Sequence, residues 1–330
     1  MDKRVDSNLL LDMSGMLNDI GFNLDDELGV ANMAEYHYDD GAVYGFPTKY
    51  ENSRWILINE DMFKEAGLDI PYDGWTYSEF LEDAEKLTHG EGQDKVYGVC
   101  WARKQSGKSI LYALDGVLGA NQIYKNEEGT EVNFDNDVYR AGFNLVKETL
   151  DKGYAIPIED EFSEDISVAN TFLQGKCAIM LGVAQMRLCM DQENYPHDFT
   201  TALVPAPVPD DEKYNTEFYR KQIGTTGAGD LLSISANTKY PEASFEFAMW
   251  YLKGGMSPLV QGGRIPLWNG VNKDEVLSVL KEKAQGSIDM DSMENYLSLD
   301  TTQGVAAIKG HASSEISSAW FEEFDAMCYG

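Results

Sequence analysis

The chain has 330 residues, 43% of them apolar, and a formal net charge of -30 from 56 acidic and 26 basic residues. That length exceeds what one hydrophobic core usually organises, so two lobes are expected. The charge excludes partners held by attraction to phosphate, because nucleic acid and anionic membrane surfaces would be repelled. The acid is spread along the chain, as in LNDIGFNLDDELG and VPDDEKYNTE, and is read as solvated surface. No apolar run reaches the roughly 18 residues of a membrane span, and residues 1 to 20 lack the basic start and apolar core of a signal peptide. Cys100, Cys177, Cys189 and Cys328 have no CxxC spacing and sit in apolar surroundings, which predicts buried free thiols. His37, His89, His197 and His311 show no ligand spacing. Neither a metal nor any other cofactor is expected.

In chain order, AVYGFPTKYENSRWILINEDMF places two strand-like runs around a polar stretch holding Tyr50, Glu51, Asn52, Arg54 and Trp55. EDMFKEAGLDIP has Met62, Phe63 and Ala66 at helical spacing, with Gly67 as a stop and Pro71 beyond it. WTYSEFLEDAEKLT sets Thr76 and Glu79 in capping-box register, ahead of Phe80, Leu81, Ala84 and Leu87 on one helical face. KVYGVCWA is predicted as a strand, and DVYRAGFNLVKETLDKGYAIP as a helix stopped at Gly153. SVANTFLQGKCAIMLGVAQMRLCM predicts helix, turn, strand, Gly182 and helix. TGAGDLLSISANTKYPEASFEFAMWYLKG predicts a glycine-rich turn, a strand and a helix whose Phe245, Phe247, Ala248, Trp250 and Tyr251 are mostly core. GGRIPLWNGV follows as an irregular crossing, and EISSAWFEEFDAMCYG as a last helix. The alternation of helices and strands predicts an α/β fold. No internal repeat or low-complexity linker marks a lobe boundary.

Six stretches in order, DDGAVYGFP, INEDMFKEAGLDIP, WTYSEFLEDAEKLT, TFLQGKCAIMLG, LLSISANTKYPEASFEFAMWYL and GGRIP, resemble the family 1 extracellular solute-binding proteins of carbohydrate ABC importers, the group that includes maltodextrin-binding proteins. The resemblance runs from about residue 30 to 330. It implies a two-lobed periplasmic-binding-protein-like fold of type II, joined by three crossings near 48–55, 226–230 and 262–268. The first lobe would comprise residues 1–50 and 230–263, the second 51–226 and 266–330. Family members carry a signal peptide, often a lipidated cysteine, and a strand, helix and strand ahead of anything like SNLLLDMSG. The first lobe is therefore expected to be incomplete, with an open edge and uncovered apolar surface.

The implied function is that of an importer's substrate-binding subunit, with no catalysis: a monomer capturing a sugar or oligosaccharide in an interlobe cleft and delivering it to permease subunits. The implied location is extracellular or periplasmic, lipid-anchored at the cell surface in the full-length form. Candidate ligand contacts are Glu51, Asn52 and Trp55 at the first crossing and Tyr36, beside Glu35 and His37, from the first lobe. Asp230, beside Gly227, Ala228 and Gly229, stands at the second crossing, and Arg264 and Trp268 flank the third. Trp101 opens the WARKQSGK loop, and Gln185 lies near the family's aromatic platform, where this chain has Ala184. Aromatic faces suit a pyranose, and carboxylates and amides suit its hydroxyls. Trp55 as core at a strand start and Tyr36 as ordinary packing are the competing readings. Two other functions are weighed: a carbohydrate-active hydrolase, which needs two carboxylates about 5 to 10 Å apart, and an interaction scaffold that has lost solute binding.

Overall fold

A computed structural model describes residues 2–33, 36–38, 40–52, 54–101, 125–126, 130–158, 160, 168–221, 228–298 and 313–329. The chain divides into two compact units. Met1–Asn52 and Gly224–Glu282 form the first; Ser53–Ile223, Lys283–Leu299 and the described part of Ile308–Gly330 form the second. The strands are β1 (Phe46–Tyr50), β2 (Trp55–Asn59), β3 (Tyr97–Cys100), β4 (Cys177–Leu181), β5 (Thr201–Pro205), β6 (Ala228–Leu232) and β7 (Ile265–Pro266). Among the described residues they make one sheet in each unit.

In the first unit β1 lies between β6 and β7, antiparallel to both. Short helices, Ser14–Asp19, Leu24–Leu28 and Val30–Met33, precede it. They bury Leu17, Leu24, Leu28 and Met33 in a core with Phe46, Ile234, Phe245, Ala248 and Leu267, each large side chain contributing about 1.5–3 kcal/mol. Such short helices are not stable alone and depend on this packing. The Asp12 carboxylate fastens the segment by accepting from the N–H groups of Ser14 and Val43. Partial burial pushes this carboxyl up, but those donors outweigh it and hold it below the ordinary aspartate value.

In the second unit the strand order is β3-β4-β2-β5, with β2 antiparallel to both neighbours and β3 parallel to β4. Every residue of β2, β4 and β5 is buried, as expected of near-continuous apolar strands covered on both faces. The Tyr77–Leu87 helix starts with the capping box legible in the sequence. Glu79 N–H donates to Thr76 Oγ1 at 3.3 Å, and Thr76 N–H to the Glu79 carboxylate at 2.7 Å. This helix lies so close to β3 that a Cβ on Gly98 would come within 2.3 Å of the Ala84 carbonyl oxygen. The Trp75 indole is buried and donates to the Pro205 carbonyl at 2.9 Å.

Several expectations need correction. Residues 262–268, expected at a crossing, lie within the first unit, which runs on to Glu282. The reason is that Lys49 and Tyr50 of β1 pair with Pro266 and Ile265, and Leu267 joins the first unit's core. Phe247 and Trp250 are not core: they are 57% and 58% exposed on the Pro241–Trp250 helix, with ring centroids 5.7 Å apart, while Phe245 and Ala248 face inward. The neighbouring β6 has β1 as its partner among the described strands, and its Leu231 is exposed. Cys100 and Cys177 are not free thiols but a disulfide between β3 and β4, with Cα atoms 6.3 Å apart. Pairing of neighbouring strands brings together residues 77 positions apart in sequence. Cys189 is free and buried, and burial pushes its thiol up to about 12.

Three outcomes follow from this packing. Gly98→Ala forces the Tyr77–Leu87 helix off β3 and should destabilise the second unit by about 1–3 kcal/mol, read as a lower melting midpoint. Phe247→Ser with Trp250→Ser should reduce binding of a hydrophobic dye and leave the melt cooperative; an unchanged dye signal would show that this face is covered in solution. Asp83 is half-buried, and burial, opposed by Lys86 and assisted by Glu82, Glu79 and Asp69, pushes its carboxyl up to about 6. A carboxyl raised in the folded state costs stability when ionised. Asp83→Asn should therefore raise the melting temperature at pH 7.5, with the gain shrinking from pH 6 downward and gone near 3.8, the ordinary value for the group.

Candidate functional site

Strand pairing brings three distant stretches to one end of the first unit's sheet. Lys49 of β1 stands opposite Gly229 of β6 and Pro266 of β7, and residues two apart on a strand share a face, so Lys49 and Glu51 emerge together. Lys49 Nζ is ion-paired with Glu51 Oε2 and lies 3.9 Å from Asp230 Oδ1, while Arg264 Nη1 is ion-paired with Asp230 Oδ2. Asp230 adopts a left-handed backbone, with φ of 53°. Its carbonyl oxygen accepts from Thr48 Oγ1 at 2.8 Å, a bond that holds the strained residue against β1. Two cations and two carboxylates thus run as one chain of contacts across β7, β1 and β6.

The four side chains are partly exposed, from 17% for Lys49 to 43% for Arg264. Ion pairs this open contribute about 0–1 kcal/mol each, so the cluster's main effect is on local charge and hydrogen-bonding capacity, not on stability. Glu51, Asp230 and Arg264 are expected ligand contacts that the fold brings together; Lys49, not among the expected residues, joins them. Its signal was available, because it stands two positions before Glu51 in a predicted strand. The neighbouring Tyr50 is inserted toward the core, and burial pushes its phenol above the ordinary value.

The other expected contacts lie elsewhere. Tyr36 and Trp268 are both partly buried against the first unit's core, and the Trp268 indole donates to Glu27 Oε2 at 2.6 Å. Asn52 is fully buried. In the second unit Gln185 is half-buried in the turn after Gly182, to whose carbonyl its N–H donates at 2.9 Å. Trp55 and Trp101 have a packing role instead of an open stacking face. Trp55 is 3% exposed and meets Tyr296 edge-on at 5.4 Å. Trp101 is 5% exposed, lies 5.8 Å from the Phe80 ring and donates to Thr149 Oγ1 at 2.8 Å. Glu35, Gly227 and residues 102–108 lie outside the described residues.

The first unit also holds a concavity of about 450 Å³ lined by Asn18, Phe22, Asn23, Asp25 and His37, with His37 Nε2 2.8 Å from Asp25 Oδ1. None of the nine expected contacts lines it. Among the described residues no group of three or more His, Cys, Asp or Glu side chains is placed to hold a metal ion, and no helix is long and apolar enough to cross a membrane.

Two α/β units, each with its own sheet, are the fold of the two-lobed periplasmic solute-binding class, which the solved structures below share. The model of the bacterial extracellular solute-binding protein family matches residues 1–253, and the chain belongs to that family. That family is one of binding proteins, not enzymes, which sets aside the hydrolase. Solved structures share the fold. A sugar transporter from Rhizobium etli in an open conformation has a TM-score of 0.71 and 18% identity, over 99% of this chain and 77% of that one. An ABC substrate-binding protein from Listeria monocytogenes in complex with cycloalternan has a TM-score of 0.68 and 16% identity, over 99% and 76%. The cyclic alpha-maltosyl-1,6-maltose binding protein from Arthrobacter globiformis has a TM-score of 0.66 and 14% identity, over 99% and 76%.

Proposed function

We propose that this chain is the sugar-capturing subunit of an ABC importer, taking up a neutral oligosaccharide outside the cytoplasmic membrane and passing it to permease subunits. The observation that carries this reading is the family match over residues 1–253. The choice of sugar is supported by the solved relatives, whose names include a sugar transporter and binders of two cyclic saccharides. It is supported too by the charge balance of Lys49, Glu51, Asp230 and Arg264, which offers acceptors and donors to hydroxyls without a net charge to favour an ion. In this reading Glu51, Asp230 and Arg264 hold hydroxyls, and Tyr36 and Trp268 offer aromatic edges from the same unit. The protein acts as a monomer held at the cell surface by a lipid anchor.

A melting screen with neutral oligosaccharides, amino acids and polyamines tests the proposal. A saccharide at a hundred times its dissociation constant should stabilise the fold by about 2.7 kcal/mol and be recovered uncleaved. Glu51→Gln and Asp230→Asn should each weaken that binding about 10- to 100-fold, the loss of a hydrogen bond to a charged group. A shift with polyamines or amino acids alone overturns the sugar reading, and release of cleaved product overturns the binding-protein reading.

A further inference from the structure

Lys49 has the most confined position of the four charges. Its ammonium lies between two carboxylates, Glu51 just past the end of its own strand and Asp230 on the next, while Arg264, among the described residues, pairs with Asp230 alone. Its stem is accommodated by a glycine. Gly229 stands directly opposite in the strand register, and a Cβ there would already sit 3.4 Å from Lys49 Cε and 3.8 Å from Glu51 Cβ. A larger residue at 229 would press on the lysine stem. Only 17% of the Lys49 side chain is exposed, against 25% for Glu51 and 35% for Asp230. The lysine therefore lies beneath the carboxylates it neutralises, and they are the more accessible groups.

We infer that Lys49 sets the charge selectivity of the binding corner: it occupies the place that a cationic ligand group would take between Glu51 and Asp230, and so reserves their outer oxygens for the hydroxyls of an uncharged saccharide. This inference rests on the reading of that corner as ligand-facing. With Lys49 present the cluster sums to zero charge; without it the sum is minus one, with the Glu51 carboxylate lacking its counter-ion. An ammonium placed there would meet two carboxylates at contact distance, where attraction in a partly desolvated site is several times stronger than in water. Removing Glu51 instead leaves the sum at plus one and should open the corner to anions. Selection by a misfit charge is a common route to specificity, because an unpaired like charge costs more than a missing hydrogen bond.

Titration calorimetry on the whole chain tests this with three matched probes: maltotriose, the fully deacetylated glucosamine trimer and the galacturonate trimer, with spermidine as a simple cation. Wild type should bind neither spermidine nor the glucosamine trimer measurably. Lys49→Met should bind one or both, at least tenfold above the wild-type detection limit, with the gain fading as salt is raised. Lys49→Arg, which keeps the charge, should behave as wild type. Glu51→Gln should gain the galacturonate trimer and no cation, so the inference does not hang on Lys49→Met alone, and melting curves confirm that each variant is folded. If folded Lys49→Met gains no cation and Glu51→Gln gains no anion, the inference fails, whatever maltotriose does. If maltotriose and the other neutral saccharides leave wild type unmoved while the charge variants switch as described, the selectivity assignment stands and the sugar reading falls.

Discussion

The pairing of β1 along both of its edges is the constraint on which the first unit and its polar corner depend. Neither β6 nor β7 is near β1 in sequence, and β7 has only two residues. Each is held by antiparallel hydrogen bonds to the central strand. Those bonds fix where Gly229, Asp230 and Arg264 arrive relative to Lys49 and Glu51. A one-residue slip in register would turn every side chain of the slipped strand to the other face and scatter the four charges. The same pairing draws Leu267 into the core and keeps the chain in the first unit until Glu282.

The second unit depends on different physics. β2, β4 and β5 are buried along their whole length, so their stability comes from covering apolar strands on two faces. The aromatic groups Trp75, Phe80 and Trp101 are joined in a chain of ring contacts, at 5.1 Å and 5.8 Å between centroids. Two of the buried indoles have an acceptor, Trp75 donating to Pro205 and Trp101 to Thr149, whereas the buried Trp55 indole N–H has none among the described residues. A buried donor without a partner costs about 1–3 kcal/mol, so these bonds hold the rings in place inside the unit. Rings held in this way support the fold instead of reaching out to a solute.

Charge links the two scales of the molecule. The chain as a whole is strongly acidic, yet the corner where β6, β1 and β7 converge has equal numbers of cations and carboxylates. Surface acid spread over both units favours solubility and weak non-specific contact; a locally neutral, hydrogen-bonding corner favours uncharged polar groups. Neither property follows from the other. The local balance exists because a lysine and an arginine, scarce in this composition, fall at register positions beside Glu51 and Asp230.

The amino-acid sequence by itself determined what depends on near neighbours. The helix ending at Gly67, the Thr76–Glu79 capping box, the Asp137–Asp151 helix and the β4 strand after the Gly175 turn all stand where periodicity and caps placed them, because their hydrogen bonds close within a few residues. That Glu51, Asp230 and Arg264 are polar residues where strands begin or end was also legible, though not that they would meet in one cluster. Only tertiary structure decided that Lys49 joins them, that β7 belongs with β1, that Cys100 meets Cys177, and that Trp55 and Trp101 lie inside. It also decided that Phe247 and Trp250 face outward, though their helix has apolar residues on more than one side. The physical reason is the same in each case: composition and spacing say that a side chain is apolar or charged, but which partner covers or neutralises it is set by strands and helices far away along the chain.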